Sequence, residues 1–417
     1  MRWVAVLACL LVSWCPAEAG NSAFFPVGIW YEGGVGAVRD GLIPEDPKQA
    51  FAYYRHTLAD IARHGLNLVV VPNTPANHHR LLLDAAQQAK LRLIIELGLE
   101  GGEIGHLVRS PQSLTAERAR AAVASLITPI KRHPALYGIQ ILDEPPPPAF
   151  GNYAVAKSAI EELSGKPAFC CLIGGGGVGE FCRQVKPKQV AFDHYPIGET
   201  TPIGDRGPLE SFLSSCRQAA EASRPQGVPA WAVIQAHSIT GIHRHPTPAE
   251  LRLMTYLALS EGVRGIFYFL YQTEFFTRNP PRLMEGVATE EYHETVQFRA
   301  IRRLASELKW LSPVLLTLEP SAPPLVSGQA EGVHLTAWKD RRGTHYLIGV
   351  NLDVKQSARV LVQLSDSRVS TAATLEDVLT GKTVSQTERA ATSTQFPLEL
   401  EPGGTHVYRV VELKRGR

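Results

Sequence analysis

The stretch that decides the fold is Leu136-Tyr137-Gly138-Ile139-Gln140-Ile141-Leu142-Asp143-Glu144-Pro145-Pro146-Pro147-Pro148. Its apolar run lacks polar alternation, as expected of a parallel strand buried on both faces. Two acids follow at once, and four prolines prevent the strand from continuing. A helical pattern comes next, near Tyr153 to Leu163, and then a second apolar run, Ala168 to Ile173. This is one strand–helix unit with its polar residues gathered where the strand ends.

The same unit repeats on both sides. Phe25 to Trp30 is a strand, followed by a helix that Asp46 caps and Pro47 opens, with Gln49 completing a capping box and Phe51, Tyr54, Leu58 and Ile61 as its apolar stripe. Leu68–Val71 precedes a helix over Ala76 to Lys90, and Leu93–Ile95 precedes one from about Thr115 to Arg132. After the fifth strand come a short helix, Val178 to Val185, and a sixth strand, Val190–Phe192. A helix over Leu209 to Ala222 and a seventh strand, Ala230 to Ile234, follow. Thr247-Pro248-Ala249-Glu250 is a capping box opening the next helix. An eighth strand, Gly265 to Leu270, and a long helix, Glu291 to Leu311, complete the series. Eight units predict a (β/α)8 barrel over residues 20–318. A doubly wound sheet is the alternative, because Gly174 to Gly177 with Gly179 satisfies G-x-G-x-x-G and Asp193 follows at a suitable spacing. A run of glycines meets that pattern trivially, so the segment reads as a tight turn or a loop beside a ligand.

Both ends of the chain differ from this. Arg2, the apolar stretch Val4 to Trp14 and Ala17-Glu18-Ala19 read as a signal peptide over residues 1–19, and hence export to a secreted or periplasmic location. Beyond Pro320, the runs Val333–Trp338, Thr344–Val350, Ala358–Leu364 and His406–Val411 alternate and are separated by polar turns. They predict a small antiparallel β-sandwich over residues 319–417, either a buttress or a carbohydrate-binding accessory. The 42 basic and 40 acidic side chains nearly cancel, which leaves no electrostatic footprint for nucleic acid. No later run is long enough to span a membrane. Cys9 and Cys15 would leave with the leader. Cys170, Cys171, Cys182 and Cys216 remain, as buried thiols or as partners in a disulfide such as one to Cys182.

In such a barrel, chemistry resides at the C-terminal ends of the strands. Those positions hold Trp30, Tyr31 and Glu32; Asn73; Glu96 with Glu100 beyond; Asp143 and Glu144; Asp193 and Tyr195; Gln235 and His237; and Tyr271 and Gln272 with Glu274 beyond. Aromatic faces stack on sugar rings, and carboxylates and amides bind hydroxyls. Cleaving a glycosidic bond needs a protonated carboxyl at the leaving oxygen and a second carboxylate near the anomeric carbon. His237, His243 and His245, with His78 and His79, offer a metal-hydrolase alternative, but the first strand lacks the H-x-H such barrels carry. No cofactor or metal is called for, and no G-x-S-x-G elbow is present.

On these residues, 24–318 resemble the (β/α)8 glycoside hydrolases. The resemblance to the large retaining clan implies that Glu144, ending the fourth strand, is the general acid, with Asp143 where that clan has asparagine. It also implies a nucleophilic glutamate ending the seventh strand, where this chain has Gln235 and His237. Glu32, Glu96, Asp193 or Glu274 would then have to serve. The adjacent Asp143-Glu144 pair also resembles the hexosaminidase type, which implies that Asp143 orients a 2-acetamido group that attacks in place of a protein nucleophile, with Tyr195 assisting. The catalytic candidates are Glu144, Asp143, Asp193 and Glu32. The substrate contacts are Trp30, Tyr31, Asn73, Glu96, Tyr195, Gln235, His237, Tyr271 and Gln272, for an oligo- or polysaccharide. A barrel that binds glycan without cleaving it is the non-enzymatic alternative.

Overall fold

The computed structural model describes residues 24–33, 41, 43–98, 101–289, 293–321, 331–364, 373–385, 388–390 and 393–412. The expected leader, Glu100 and residues 322–330 and 413–417 lie outside these residues.

Parallel strands Val27–Trp30, Leu68–Thr74, Arg92–Leu97, Leu136–Gln140, Val190–His194, Ala230–Gln235 and Ile266–Phe269 form one sheet with a fifth strand in two pieces, Ala168–Phe169 and Cys171–Ile173. The eighth strand pairs with both the seventh and the first. The two pieces of the fifth strand are the ends of the hydrogen-bonded order and are joined through Cys170. One piece pairs with the fourth strand and the other with the sixth, so the ring is closed. The architecture is therefore a (β/α)8 barrel, not a doubly wound sheet with two open edges.

The two-residue alternation of each strand decides what fills the ring. Trp30, Phe169, Trp231 and Phe267 pack inside it, with ring centroids 5.5 to 6.4 Å apart. Gly28 makes room for them: a Cβ there would lie 2.3 Å from the Phe267 ring. The intervening residues Ile29, Tyr31 and Tyr268 face the helices instead. Helix Pro47–Arg63 begins where Asp46 accepts from the backbone N–H groups of Lys48 and Gln49. Helix Pro248–Ser260 begins with a reciprocal box: Thr247 Oγ1 accepts from Glu250 N–H at 3.2 Å, and Glu250 accepts from Thr247 N–H at 2.8 Å. Two features go beyond the sequence reading. Helix Gly102–Arg109 precedes the expected helix Ala116–Ile127, and a hairpin, Glu274–Arg278 with Pro281–Glu285, follows the eighth strand. Among the described residues, no helix is long and apolar enough to cross a membrane.

The glycine run packs rather than binds. Gly175 N–H donates to Ser215 Oγ at 2.8 Å, and a Cβ on Gly175 would sit 2.0 Å from the Ser215 carbonyl. The glycine therefore lets the loop lie against helix Arg206–Ser223.

The C-terminal strands form two antiparallel sheets. Their apposed faces bury Leu347, Val360, Val362, Leu375, Phe396, Leu398 and Tyr408. The alternate residues Tyr346, Ile348, Val350 and Val407 face the other way and join the barrel's apolar cluster. An ion pair between His334 and Glu261 at 3.0 Å adds to this contact.

Candidate active site at the C-terminal mouth of the barrel

A cavity of about 340 Å³ opens where the strands end. On one side stand Asp143 and Glu144 from the fourth strand, Cys171 from the fifth, and Asp193 and Tyr195 from the sixth. Trp30 and Phe269 belong to the first and eighth strands. The rest of the lining is Ile239, Ile242 and His243 from the loop after the seventh strand, with Phe276 and Met284 from the hairpin. His237 completes it.

The fourth strand ends in a conformation that few residues adopt. Glu144 has φ 46°, in the left-handed region, which costs a side chain other than glycine of order 1 kcal/mol or more. Its N–H donates to the Cys171 carbonyl at 3.1 Å, which anchors this turn to the fifth strand. Strained backbone held by its neighbours is a recurrent feature of reactive positions.

The Asp193 side chain is hydrogen-bonded to Glu144. Burial first, then the Glu144 contact and its charge, push Asp193 well above the usual carboxylate range. Asp143 is reached by water yet ringed by protein, and burial with the neighbouring Glu144 raises it to about 7. Glu32 is also raised well above its ordinary value, by burial and then by Glu274, Glu96 and Asp143. The mouth is thus a continuous field of carboxyl groups, with Asp143 linking its two halves.

The second half is tied together by amides. The Asn73 side chain bonds Glu32. The backbone N–H of Asn73, itself at φ 51°, donates to Glu96 Oε2 at 2.6 Å. Gln272 Nε2 donates to the Glu32 carbonyl at 2.6 Å, with Glu274 Oε2 at 3.5 Å.

His237 and His243 form a neutral pair. Burial drives His237 down to about 3 and lowers His243 as well. His237 Nδ1 lies 3.0 Å from the Phe269 carbonyl, which only accepts, so Nδ1 carries the proton. His237 Nε2 then accepts from His243 Nδ1–H at 3.2 Å. The T-shaped contact of Tyr195 with His237, at 4.8 Å, and its stacking on Phe269, at 5.5 Å, complete the aromatic corner.

Several strand-end candidates are engaged elsewhere. Gln235 is fully buried. Its Oε1 accepts from Ile197 N–H at 2.9 Å, and its Nε2 donates to the carbonyls of Ile197 at 2.9 Å and Arg244 at 3.3 Å. It fastens the loops after the sixth and seventh strands and does not line the cavity. Tyr31 and Tyr271 meet edge-to-face at 5.9 Å beneath the helices, and Tyr271 donates to Asp60 at 2.7 Å. His78 pairs with Tyr54 at 2.6 Å and His79 with the Thr74 carbonyl, away from the other histidines. The four cysteines are free and buried. Among the described residues, no group of three His, Cys, Asp or Glu side chains is placed to hold a metal ion.

No protein-family model and no curated protein matches the sequence. Solved structures do match. A protein titled glycoside hydrolase superposes with a TM-score of 0.60 at 13% identity, over 94% of each chain. A catalytic mutant of a GH42 beta-galactosidase from G. stearothermophilus superposes with a TM-score of 0.64 at 9% identity, covering 93% of this chain and 98% of that one. A beta-glucuronidase from Ruminococcus gnavus gives 0.50 at 12% identity, over 68% of this chain and half of that one.

The chain has the fold of the (β/α)8-barrel glycoside hydrolases. Identities this low establish shared architecture, and the first two matches extend across the barrel and the β-domain alike. Within that fold, the sequence reading missed the entire wall formed by Ile239, Ile242, Phe276 and Met284. The available signal was the Asn279-Pro280 turn between two apolar runs, which marks a hairpin. It also missed Cys171 and Phe269, which lie one residue past a strand break and at a strand's last position.

Proposed function

We propose that this protein hydrolyses a glycosidic bond, with Glu144 as the proton donor to the leaving oxygen. The carrying observation is that Glu144, held in a strained turn at the end of the fourth strand, shares one cavity with Asp143 and Asp193. A general acid must hold a proton near neutral pH, and the groups beside Glu144, Asp143 and Asp193, are both pushed above the usual carboxylate range, chiefly by burial. Asp193 is the reservoir partner, and its hydrogen bond also fixes the direction of the Glu144 carboxyl. With Gln235 locked to the backbone, the carboxylate facing the anomeric carbon comes from Asp143 or from Glu32.

The cavity's size and charge narrow the substrate. About 340 Å³ is at the small end of ligand sites, which suits one sugar unit and its leaving group better than a polysaccharide strand. Its lining residues include three carboxyl groups and no lysine or arginine. A uronate would bring a further negative charge into that field, so a neutral or amino sugar is the better fit.

A second reading is favoured by a specific observation. Asp143, Glu144 and Tyr195 line one cavity with an aromatic corner beside them. That is the set the hexosaminidase type uses to let a 2-acetamido group attack the anomeric carbon, and it needs no carboxylate at the seventh strand. Kinetics on matched 2-hydroxy and 2-acetamido aryl glycosides separate the readings. Turnover of 2-hydroxy sugars supports a protein carboxylate as nucleophile or base. Turnover confined to 2-acetamido sugars, and lost in Asp143→Asn, supports substrate assistance. Binding of sugars with no turnover of any glycoside would leave a glycan-binding barrel. Export, expected from the N-terminal residues, places this activity outside the cytoplasm, and N-terminal sequencing of the mature protein tests it.

A further inference from the structure

One part of the cavity lining carries chemistry unlike that of the carboxyl groups. It consists of Ile239, Ile242, Phe276 and Met284. The hairpin that supplies two of these pairs Met284 with Ile239, so the loop after the seventh strand and the hairpin form one three-stranded sheet. The hairpin register shifts between Phe275 and Thr277, placing a bulge at Phe276. Bulges re-aim side chains, and here two successive aromatic residues are left 55% and 49% exposed. Ile173, the last residue of the fifth strand, and Ile203, in the loop after the sixth, are also exposed at this end of the barrel, while Val296, Trp310 and Leu361 are exposed elsewhere. Water-exposed apolar surface concentrated at a cavity mouth is the signature of a contact site.

We propose that this wall is the leaving-group subsite and that it takes an apolar aglycone, an alkyl or aryl group, in place of a second sugar. The inference rests on the glycosidase reading above. Asp143, Glu144 and Asp193 place carboxyl groups on the other part of the lining, where the hydroxyls of the glycone find partners. The apolar flank offers a sugar almost none. His237 has both ring nitrogens engaged, which leaves His243 Nε2 as the acceptor on that side. A pyranose placed there would bury several hydroxyls without partners, at a cost for each. A hydrocarbon chain in the same place gains from every methylene removed from water. The glycosidic oxygen between the two flanks would then lie beside Glu144, and its proton comes from that carboxyl as the bond to the anomeric carbon breaks.

The test compares kcat/KM for methyl and octyl glycosides, and for a disaccharide of the same glycone, on the full-length protein. Glycosyl fluorides of the common hexoses and of their 2-acetamido-2-deoxy counterparts serve as the control, because fluoride leaves without occupying any subsite. The expected result is fluoride turnover, with the octyl glycoside favoured over both the methyl glycoside and the disaccharide by about tenfold or more, as burial of a few methylenes implies. The octyl-to-methyl ratio is expected to fall severalfold in Phe276→Ser, an exposed position where the substitution spares the core. Fluoride turnover with equal octyl and methyl values, or with the disaccharide preferred, overturns the subsite and leaves the glycosidase reading standing. No turnover of any fluoride overturns that reading, and the subsite falls with it.

Discussion

The fourth and seventh strands end at comparable places in the barrel, and the chain uses them in opposite ways. At the fourth, Asp143 and Glu144 open onto the cavity, with Glu144 in a strained backbone conformation and bonded to Asp193. At the seventh, Gln235 is fully buried and every polar atom of its side chain is bonded to backbone. The lesson concerns polar groups at a strand end. One left accessible among like charges is available for proton transfer, whereas one satisfied by peptide groups holds loops in place. A glutamine suits the second role because it donates and accepts at once, which a carboxylate cannot do.

The comparison is broken most directly at Glu144. Glu144→Gln is expected to lower kcat/KM for alkyl glycosides by roughly 10²–10⁴-fold, the usual contribution of a general acid, with little change in melting temperature. The next largest effect is on stability. Gln235→Ala removes three hydrogen bonds and strands the buried peptide groups of Ile197, so thermal or denaturant unfolding should register a loss of about 3 kcal/mol. Gln235→Glu would sharpen the contrast. It puts a carboxylate where the retaining clan has its nucleophile, yet it cannot donate to the Ile197 and Arg244 carbonyls. Lower stability above about pH 5 and no gain in activity are expected; a gain would contradict the role assigned to Gln235.

A smaller effect has a pH signature. Asp193 and Asp143 both have folded-state values above those of an unfolded chain, Asp143 at about 7. Their contribution to stability is fully present below about pH 4 and is lost as the pH rises toward and past 7. Asp193→Asn removes part of that loss. Unfolding at pH 8 should therefore show the variant gaining on the order of 1 kcal/mol relative to wild type, with the difference shrinking toward pH 4. A variant less stable than wild type at pH 8 would mean that Asp193 is a structural anchor rather than a strained member of the site.

The periodicity of the sequence was enough to read the barrel. Each strand is an apolar run, Thr247 and Glu250 form the reciprocal box their spacing implies, and Asp46 caps its helix by accepting from the Lys48 and Gln49 N–H groups. Asp143, Glu144, Asp193, Tyr195, Trp30 and His237 share one cavity because barrel topology brings strand ends together whatever their separation in sequence. What stayed hidden was the direction of individual side chains. Trp30 faces the ring interior and Tyr31 the helices, as alternation demands, but the last paired residue sets the phase, and composition does not reveal it. The eighth strand ends at Phe269, two residues before Tyr271, so the residue that lines the cavity is the phenylalanine. The apolar wall was harder to read for a further reason. Half of it comes from a hairpin inserted after the barrel's last strand, marked in the sequence by the Asn279-Pro280 turn alone, and half from the loop after the seventh strand.

The most direct test of the account sets wild type against Glu144→Gln on two substrates of one glycone, its fluoride and its octyl glycoside. Fluoride departs without protonation, whereas an alkoxide does not. The account predicts that the variant keeps most of its fluoride hydrolysis and loses the octyl glycoside by at least about a hundredfold. Equal retention of both activities would contradict the assignment of Glu144 as proton donor.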